Sequence, residues 1–410
     1  MQLNSGHNSV ENIVFPVPNI RRILYFLFLF FVFFPYIQII DFGTDMQPYA
    51  VLVGTLLLPF YKKKVTWSEA LIVVVFSSSI LILMVSELNI LAVRSLFNYC
   101  SLLIVSFVTF RILRSKIINF DFFLKACIAI WFVISLIQSY VSREFLTFIV
   151  SGARTTEDRG VTGLAPEPTF LGIVFVFFIL YLLHIDTRHK KKFIILCVIG
   201  IVLLAKSSMA VLFLAVLLFL YLLTHLSVKL IFAVFLLAVL TSVVISNFES
   251  SRLLYLFESV IDDPASLLFV DASINDRFFH LFFSMKGFLY NYTLPHGYSE
   301  WLPYVEYQLS EYSNFVIVES FSLGGRIMSG YGAAFYELGF FAFLIPIALL
   351  KVLYDLYSNN IRLFIFHFLF INIVMFSAIP IGFSLFAFYL GFLNYLNWDR
   401  RHRIAMGQMA

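Results

Sequence analysis

Long apolar stretches alternate with short polar segments along almost the whole chain. A helix needs about 20 consecutive apolar residues to cross the hydrocarbon core of a bilayer, and by that measure the sequence contains roughly twelve membrane-spanning helices. They are placed at 22–40, 48–60, 66–86, 90–110, 121–142, 167–184, 193–205, 208–225, 229–247, 331–353, 362–378 and 381–397. The second and the seventh are the shortest. The pattern therefore predicts an all-α polytopic membrane protein.

Composition supports this class. Hydrophobic residues make up 61% of the chain and charged residues 13%, whereas a soluble domain averages roughly 45–50% apolar and 25% charged residues. The 51 phenylalanines suit lipid-facing helices and grooves for lipid tails, although genome composition explains them equally well. The three cysteines (Cys100, Cys127 and Cys197) lie in apolar runs without metal-ligand spacing. We therefore predict no metal, cofactor or disulfide.

Basic residues cluster on every second predicted loop. The clusters are Arg21–Arg22, Lys62–Lys64, Arg111–Lys116, Arg188–Lys192, Lys229, Lys351–Arg362 and Arg400–Arg403. Loops rich in lysine and arginine remain on the cytoplasmic side of a membrane. The pattern therefore predicts that both termini are cytoplasmic and that the intervening loops face outward.

Three regions follow from this topology: an N-terminal membrane bundle over 1–247 with an outward loop at 143–166, a large extracytoplasmic segment over 248–330, and C-terminal membrane helices with a tail over 331–410. The middle segment, at about 80 residues, is too long for a connection without structure of its own. Its frequent tyrosines and tryptophans fit either the aromatic belt at a membrane interface or stacking against sugar rings.

A polar stretch whose residues are suited to ligand binding or catalysis precedes the predicted helix at 167–184. Glu167 stands between two prolines, and proline is tolerated in the first turn of a helix. Glu167 is therefore expected at the N-terminus of that helix, where the partial positive charge favours both the carboxylate and a nearby phosphate. Arg154 and Arg159 come shortly before it. Together these groups predict a site for a phosphorylated substrate at the membrane surface.

Other ionisable groups stand near the predicted outer boundary. Lys206 lies in a tight turn between apolar helices, where it either snorkels to the interface or binds an anion. Arg94 lies about four residues inside its span, where it either snorkels outward or lines a polar cavity. Arg326 is expected just outside the membrane, and Glu337 inside a span. Glu337 is either functional or paired with a nearby arginine.

The extracytoplasmic segment adds a further group of polar residues. Arg277 and His280 are three positions apart, so they share one helix face. His296 and Tyr298 follow in a Pro-His-Gly-Tyr turn. Two explanations of Arg277 and His280 are equally good: a functional role, or a position on the solvated face of an amphipathic helix.

Four short motifs resemble those of Wzy-type polymerases of O-antigen and exopolysaccharide. They are Gly163–Thr169, Ala205–Ser208, Arg277–Gly297 and Ser329–Gly339. Their order, and the long outward segment before the last three spans, match the family over roughly residues 140–345. Some members also carry Arg-x10-Gly repeats in two outward loops, and this chain lacks those repeats.

The resemblance implies a bundle similar to the GT-C glycosyltransferases, in the cytoplasmic (inner) membrane with its active site facing outward. Such an enzyme transfers a glycan from undecaprenyl diphosphate onto the non-reducing end of another lipid-linked repeat unit. An O-antigen ligase or a flippase for the same lipid-linked units remains an alternative. The expected partners are this substrate, membrane lipid and a chain-length regulator, without nucleic acid.

In this interpretation, arginines stabilise the leaving diphosphate and an acidic or histidine side chain orients or deprotonates the acceptor hydroxyl. The catalytic residues expected are Glu167, Arg154, Arg159, Arg277 and His280, and the substrate-binding residues expected are Lys206, Arg326, His296, Tyr298 and Glu337.

Overall fold

A computed structural model describes residues 19–40, 42, 44–61, 65–154, 160–185, 187–224, 267–270, 272–317, 321, 326–377 and 379–406. In this part of the chain the secondary structure is helical, apart from an isolated antiparallel bridge between Ile37 and Val150. The predicted span 229–247 and the predicted extracytoplasmic residues 248–266 lie outside the described residues.

The helices follow the apolar stretches closely. They are α1 (Asn19–Phe33), α2 (Tyr49–Leu57), α3 (Trp67–Val85), α4 (Ile90–Ser115), α5 (Phe120–Tyr140), α6 (Pro168–His184), α7 (Lys190–Ile199), α8 (Ser208–Thr224), α9 (Leu267–Val270), α10 (Ala272–Tyr290), α11 (Trp301–Glu311), α12 (Gly330–Leu338), α13 (Leu344–Tyr357), α14 (Ile361–Phe376) and α15 (Ser384–Ala405). Short 3-10 turns span Leu58–Phe60, Thr147–Ile149 and Gly339–Phe343, and a π-helical turn, Gly200–Ala205, extends α7.

Four helical segments are long and apolar enough to cross a membrane. They are Trp67–Val85, Ile90–Ser115, Phe120–Tyr140 and Gly330–Tyr357. Shorter apolar helices accompany them at Tyr49–Phe60, Pro168–His184, Ser208–Thr224 and Ile361–Phe376. The all-helical fold and the membrane-embedded character are therefore as predicted, and the number of spans stays a prediction.

Two predicted spans differ from the helices observed. The predicted span 22–40 is a helix only as far as Phe33, because Phe34 precedes Pro35 and a residue before proline avoids the helical conformation. The predicted span 331–353 is interrupted at Gly339, whose φ of +58° lies in the left-handed region. A Cβ atom at Gly339 would stand 2.5 Å from the Thr293 carbonyl oxygen, so only glycine fits this break.

The centre of the bundle is formed by α6 and α15. Most of the side chains of α6 after its first turn are buried, as are those of the first half of α15. The Tyr181 ring of α6 packs edge-on against Phe388 and Phe392 of α15, with centroids 5.5 and 5.7 Å apart. Since α6 begins directly after Glu167, the candidate site stands at the end of a helix held rigidly by the core.

The bundle has two ends, which we name by one residue each. The Glu167 end carries the connections at 34–48, 86–89, 141–167, 206–207 and 377–383. The Arg111 end carries those at 116–119, 185–189 and 358–360. These two sets are the loops predicted to face outward and inward, respectively.

A buried ion pair fastens α3 to α4 near the Arg111 end. The side chains of Glu69 and Arg111 are 1% and 7% exposed. The Arg111 guanidinium donates to both carboxylate oxygens of Glu69, one of them at 3.2 Å. The Thr66 backbone N–H also donates to Glu69, at 2.7 Å, as part of a capping box. Both charges are therefore compensated without water.

Replacing Glu69 with Gln is expected to destabilise the folded protein by about 3–5 kcal/mol, because it leaves the Arg111 charge buried without its anion. Thermal unfolding of the purified protein in detergent measures this. The control is Asp355→Asn, which breaks the ion pairs with Lys351 and the exposed Arg401 and should cost at most about 1 kcal/mol for each pair. Equal unfolding temperatures for the two variants would contradict the prediction.

Helices α10 and α11 form a hairpin beside the Glu167 end, with an apolar core of its own. Phe279, Phe283, Trp301 and Val305 are buried there, together with Tyr336 of α12. Lys286 also joins the two helices, donating to Gln308 at 2.7 Å and to Glu311 at 3.0 Å. Partial burial lowers the pKa of Lys286, but its hydrogen bonds to Glu311 and Tyr312 outweigh that effect and raise it.

Candidate functional site

Glu167 precedes α6 as its N-cap residue, with Pro168 in the first helical position. Its backbone is extended, at φ −142° and ψ 154°, and its side chain makes no capping hydrogen bond. The carboxylate instead accepts a hydrogen bond from Nη1 of Arg154 at 2.6 Å. The Arg154 backbone N–H also donates to the Pro166 carbonyl at 2.8 Å. Arg154 and Glu167, which the sequence assigns to one site, are thus in contact, whereas Arg159 lies outside the described residues.

A second ion pair stands at the same end of the bundle. Nη2 of Arg326 donates to Oδ2 of Asp45 at 2.8 Å, which joins the segment before α12 to the α1–α2 connection. The two side chains are 34% and 24% exposed. The pair is therefore only partly hydrated, and its charges act at short range on neighbouring groups.

Tyr36 connects the two ion pairs. Its side chain is 2% exposed and interacts electrostatically with Asp45, Arg326 and Glu167. Its hydroxyl group has no hydrogen-bond partner among the described residues. A buried hydroxyl without a partner costs about 1–3 kcal/mol.

Arg94 is the remaining cation. It lies in the second turn of α4, half-buried, and interacts electrostatically with Arg326 and Asp45. In the part of the chain that the structure describes, no hydrogen bond or ion pair engages its guanidinium. Its two predicted explanations, snorkelling outward and lining a polar cavity, both stay predictions.

We call these groups the arginine site. It consists of Tyr36, Asp45, Arg94, Arg154, Glu167 and Arg326. Three guanidinium groups face two carboxylates, so the site carries an excess of one positive charge. This excess charge favours an anion near these groups.

Lys206 lies close to the same helix end. It occupies a left-handed turn, at φ +46°, between the π-helical extension of α7 and α8. The segment that begins at Gly160 lies across this turn, since the Val161 N–H donates to the Leu204 carbonyl at 2.9 Å. The Ser207 hydroxyl contacts the Thr169 hydroxyl in the first turn of α6 at 3.1 Å. The ammonium group is exposed and available to a ligand at this end.

Arg277 and His280 lie elsewhere, on α10 of the hairpin. The His280 ring is 0% exposed and stacks on Phe321 at 4.5 Å between centroids, while its Nε2 lies 3.3 Å from Oδ1 of Asp276. Arg277 is half-buried on the same helix. The aromatic neighbours of His280 make it part of the hairpin core, and the predicted catalytic roles of Arg277 and His280 stay predictions.

His296 and Tyr298 also differ from their predicted setting. The His296 ring stacks on Tyr336 at 4.2 Å and its Nε2 contacts the Gly287 carbonyl at 2.9 Å. The Tyr298 hydroxyl donates to the Ser79 carbonyl of α3 at 2.9 Å. Both side chains therefore fasten the hairpin to the bundle, and their predicted contact with substrate stays a prediction.

Glu337 occupies a separate pocket between α12 and α4. Its carboxylate accepts hydrogen bonds from the Ser95 hydroxyl at 2.8 Å and the Tyr99 hydroxyl at 2.5 Å. The alternative of pairing with an arginine is wrong for the described residues, in which no arginine makes an ion pair with Glu337. The hydroxyl groups, which the sequence pattern did not single out, take that place.

The sequence missed Tyr36 and Asp45. The available signal was their position in a polar connection between two apolar stretches at the Glu167 end. The chain matches no protein-family model and no curated protein. The assignment of a function therefore depends on the residues and their arrangement.

Proposed function

We propose that the chain is a polysaccharide polymerase. It would be a membrane glycosyltransferase that moves a glycan from undecaprenyl diphosphate onto the non-reducing end of a second lipid-linked repeat unit. In this proposal roughly twelve helices span the cytoplasmic membrane, both termini are cytoplasmic, and the arginine site faces outward. The single observation that carries the proposal is Arg94, a half-buried guanidinium that interacts electrostatically with Arg326 and Asp45 and makes no hydrogen bond or ion pair with the described residues.

An arginine in this position requires an explanation. A charge removed from water is costly unless an opposite charge compensates it, and Arg326 adds repulsion. Asp45 already pairs with Arg326, so a second anion would compensate the charge of Arg94. The planar guanidinium fork suits a phosphate, whose oxygens it can bind in pairs. A diphosphate fits two neighbouring arginines.

The chemistry of glycosyl transfer from a diphosphate carrier suits this arrangement. The bond between the sugar and the diphosphate breaks, and negative charge develops on the leaving phosphate. Arg94 and Arg326, fixed before the reaction begins, would stabilise that charge, and such preorganised groups are often the largest contribution to catalysis. Lys206 is exposed at the same end and would add a mobile point charge.

Glu167 is suited to the acceptor sugar. Arg154 holds one carboxylate oxygen at 2.6 Å, which leaves the other oxygen to accept a hydrogen bond from the attacking hydroxyl. Such a carboxylate orients the hydroxyl and receives its proton as the new glycosidic bond forms. The Tyr36 hydroxyl, which has no hydrogen-bond partner among the described residues, would donate to a phosphate or sugar oxygen.

The resemblance of Gly163–Thr169 and Ala205–Ser208 to Wzy-type motifs supports the same proposal, because both stretches lie at the start of α6 and at the neighbouring Lys206 turn. A chain-length regulator would be a separate partner.

The test uses the purified full chain in lipid nanodiscs with a synthetic undecaprenyl-diphosphate repeat unit. The expected product is a ladder of lipid-linked polymers resolved by electrophoresis. If a single unit were transferred, and only when a lipid A core sugar is supplied, the activity would be that of a ligase and the assignment as a polymerase would be wrong. Protein that binds the lipid without forming a covalent product would contradict glycosyl transfer and favour a transporter.

A further inference from the structure

The carboxylate of Glu337 is a buried ionisable group that the proposed reaction does not use. It stands in the last turn of α12, next to the break at Gly339. Its two oxygens face α4, where they meet the Ser95 and Tyr99 hydroxyl groups. It lies inside the candidate membrane span Gly330–Tyr357, where an ionisable residue is unusual and expensive.

Three features of this pocket oppose a negative charge. The last turn of a helix carries partial negative charge from its free carbonyl groups. The surroundings are low in polarity, so a charge there is poorly solvated. Finally, no lysine, arginine or histidine of the described residues forms an ion pair with the carboxylate. Against these stand only the two hydroxyl donors, which favour the charged form.

The protonated, neutral form of Glu337 keeps its hydrogen bonds in this pocket. A hydroxyl group both donates and accepts, so a protonated Glu337 keeps contact with Ser95 and Tyr99 after one of the hydrogen bonds reverses. A proton also needs no further ligands, whereas a metal cation requires several oxygens around it.

The other titratable groups around Glu337 are aromatic. Tyr99 faces it from α4, Tyr298 from the turn after α10, and Tyr336 precedes it on α12, and all three interact with it electrostatically. His296 stacks on Tyr336 with centroids 4.2 Å apart. On the α3 side the contact is made by the Ser79 carbonyl, which accepts from Tyr298.

The same turn of α12 anchors the hairpin. The His296 N–H donates to the Tyr336 carbonyl at 3.1 Å, and the Gly297 N–H donates to the Glu337 carbonyl at 3.3 Å. On the far side of the break, the Phe340 N–H donates to the Thr293 carbonyl at 2.8 Å. The turn after α10 thus supplies the hydrogen bonds that the interrupted helix lacks, as non-helical backbone in a membrane requires.

We propose that Glu337 is a proton-binding site, neutral when the hairpin is seated, and that its ionisation loosens the turn at 291–298 from α12 and α4. The ligand is a single proton taken from water, and the element that responds is the hairpin of α10 and α11. The site is independent of the proposed glycosyl transfer.

Infrared spectroscopy of the purified full chain tests the protonation directly. At neutral pH the wild-type protein should show a carboxylic-acid C=O stretching band that Glu337→Gln removes and that Glu306→Gln, at an exposed hairpin position, retains. If the Glu337→Gln protein instead lost carboxylate bands and kept the acid band, Glu337 would be ionised and the proposal overturned.

Hydrogen exchange tests the link to the hairpin. Deuterium uptake at 291–298 should rise in the wild type as the acid band disappears with increasing pH, and should stay constant over that range in Glu337→Gln. Uptake that rises equally in both proteins would overturn the coupling.

A milder variant covers the case in which Glu337→Gln does not fold. Tyr99→Phe removes a donor that favours the charged form, so the acid band should persist to higher pH than in the wild type. A band that disappears at the same pH or lower would overturn the proposal.

Discussion

Replacing Arg94 with Gln is expected to lower polymer formation by about 10²–10³-fold, the loss typical of removing one preorganised group that stabilises developing charge. The guanidinium stands beside Arg326 and Asp45, and glutamine keeps much of its volume without its charge or its fork. Lysine at the same position should restore part of the activity, because it supplies the charge without the bidentate geometry. The ladder of lipid-linked products, measured at equal amounts of membrane-inserted protein, reports the effect.

Arg362→Gln provides the matched control. Arg362 is an exposed arginine at the Arg111 end, so its replacement changes the net charge equally and should leave the ladder intact. If the Arg94→Gln protein polymerised at the wild-type rate, Arg94 would be a structural residue and the anion site would lose its main support.

Replacing Glu167 with Gln is expected to abolish the polymer ladder while the protein remains in the membrane at its normal level. The amide cannot receive a proton from the acceptor hydroxyl, and it breaks the ion pair with Arg154. Loss of such a group typically costs about 10²–10⁴-fold in rate. The helix itself should persist, because the Glu167 side chain makes no capping hydrogen bond.

Glu144→Gln is the comparison for this variant. Glu144 is an exposed carboxylate in the same connection between α5 and α6, and its replacement should leave polymer length and yield unchanged. Glu167→Asp keeps the negative charge but moves the carboxylate back by one methylene, so it tests the position of the charge. Partial activity is expected. A normal ladder from the Glu167→Gln protein would exclude Glu167 from the reaction.

The apolar pattern predicts the helices well, because in lipid a long apolar stretch can satisfy its backbone only as a helix. The helix predicted at 66–86 is found at Trp67–Val85, and the one at 167–184 at Pro168–His184. Pro168 marks the start of its helix for a local reason that the sequence displays.

Interruptions of helices were harder to predict. The stretch around Gly339 is apolar on both sides, so hydropathy continues across it, whereas the break depends on the Thr293 carbonyl of a distant turn. The role of His280 was hidden for a similar reason. A histidine on a helix face gives the same sequence pattern whether it faces solvent or, as here, stacks on Phe321.

In the arginine site, too, the sequence predicts the contacts between residues close in the chain but not those between distant residues. The Arg154–Glu167 pair joins residues of one loop, and the sequence places them together. Asp45 and Arg326 are 281 positions apart, and no local pattern pairs them. Tyr36 lies in a third part of the chain, and its electrostatic interaction with Asp45, Arg326 and Glu167 is visible only in the structure.

The distance along the chain between Asp45 and Arg326 has a consequence for biosynthesis. A ribosome delivers the first of these residues to the membrane long before the second exists. The arginine site therefore cannot assemble on a partly translated chain, and Arg94 waits without its neighbours until the C-terminal third has been inserted. A translation product that stops before Arg326 therefore contains only part of the arginine site, because Asp45 lacks its ion-pair partner.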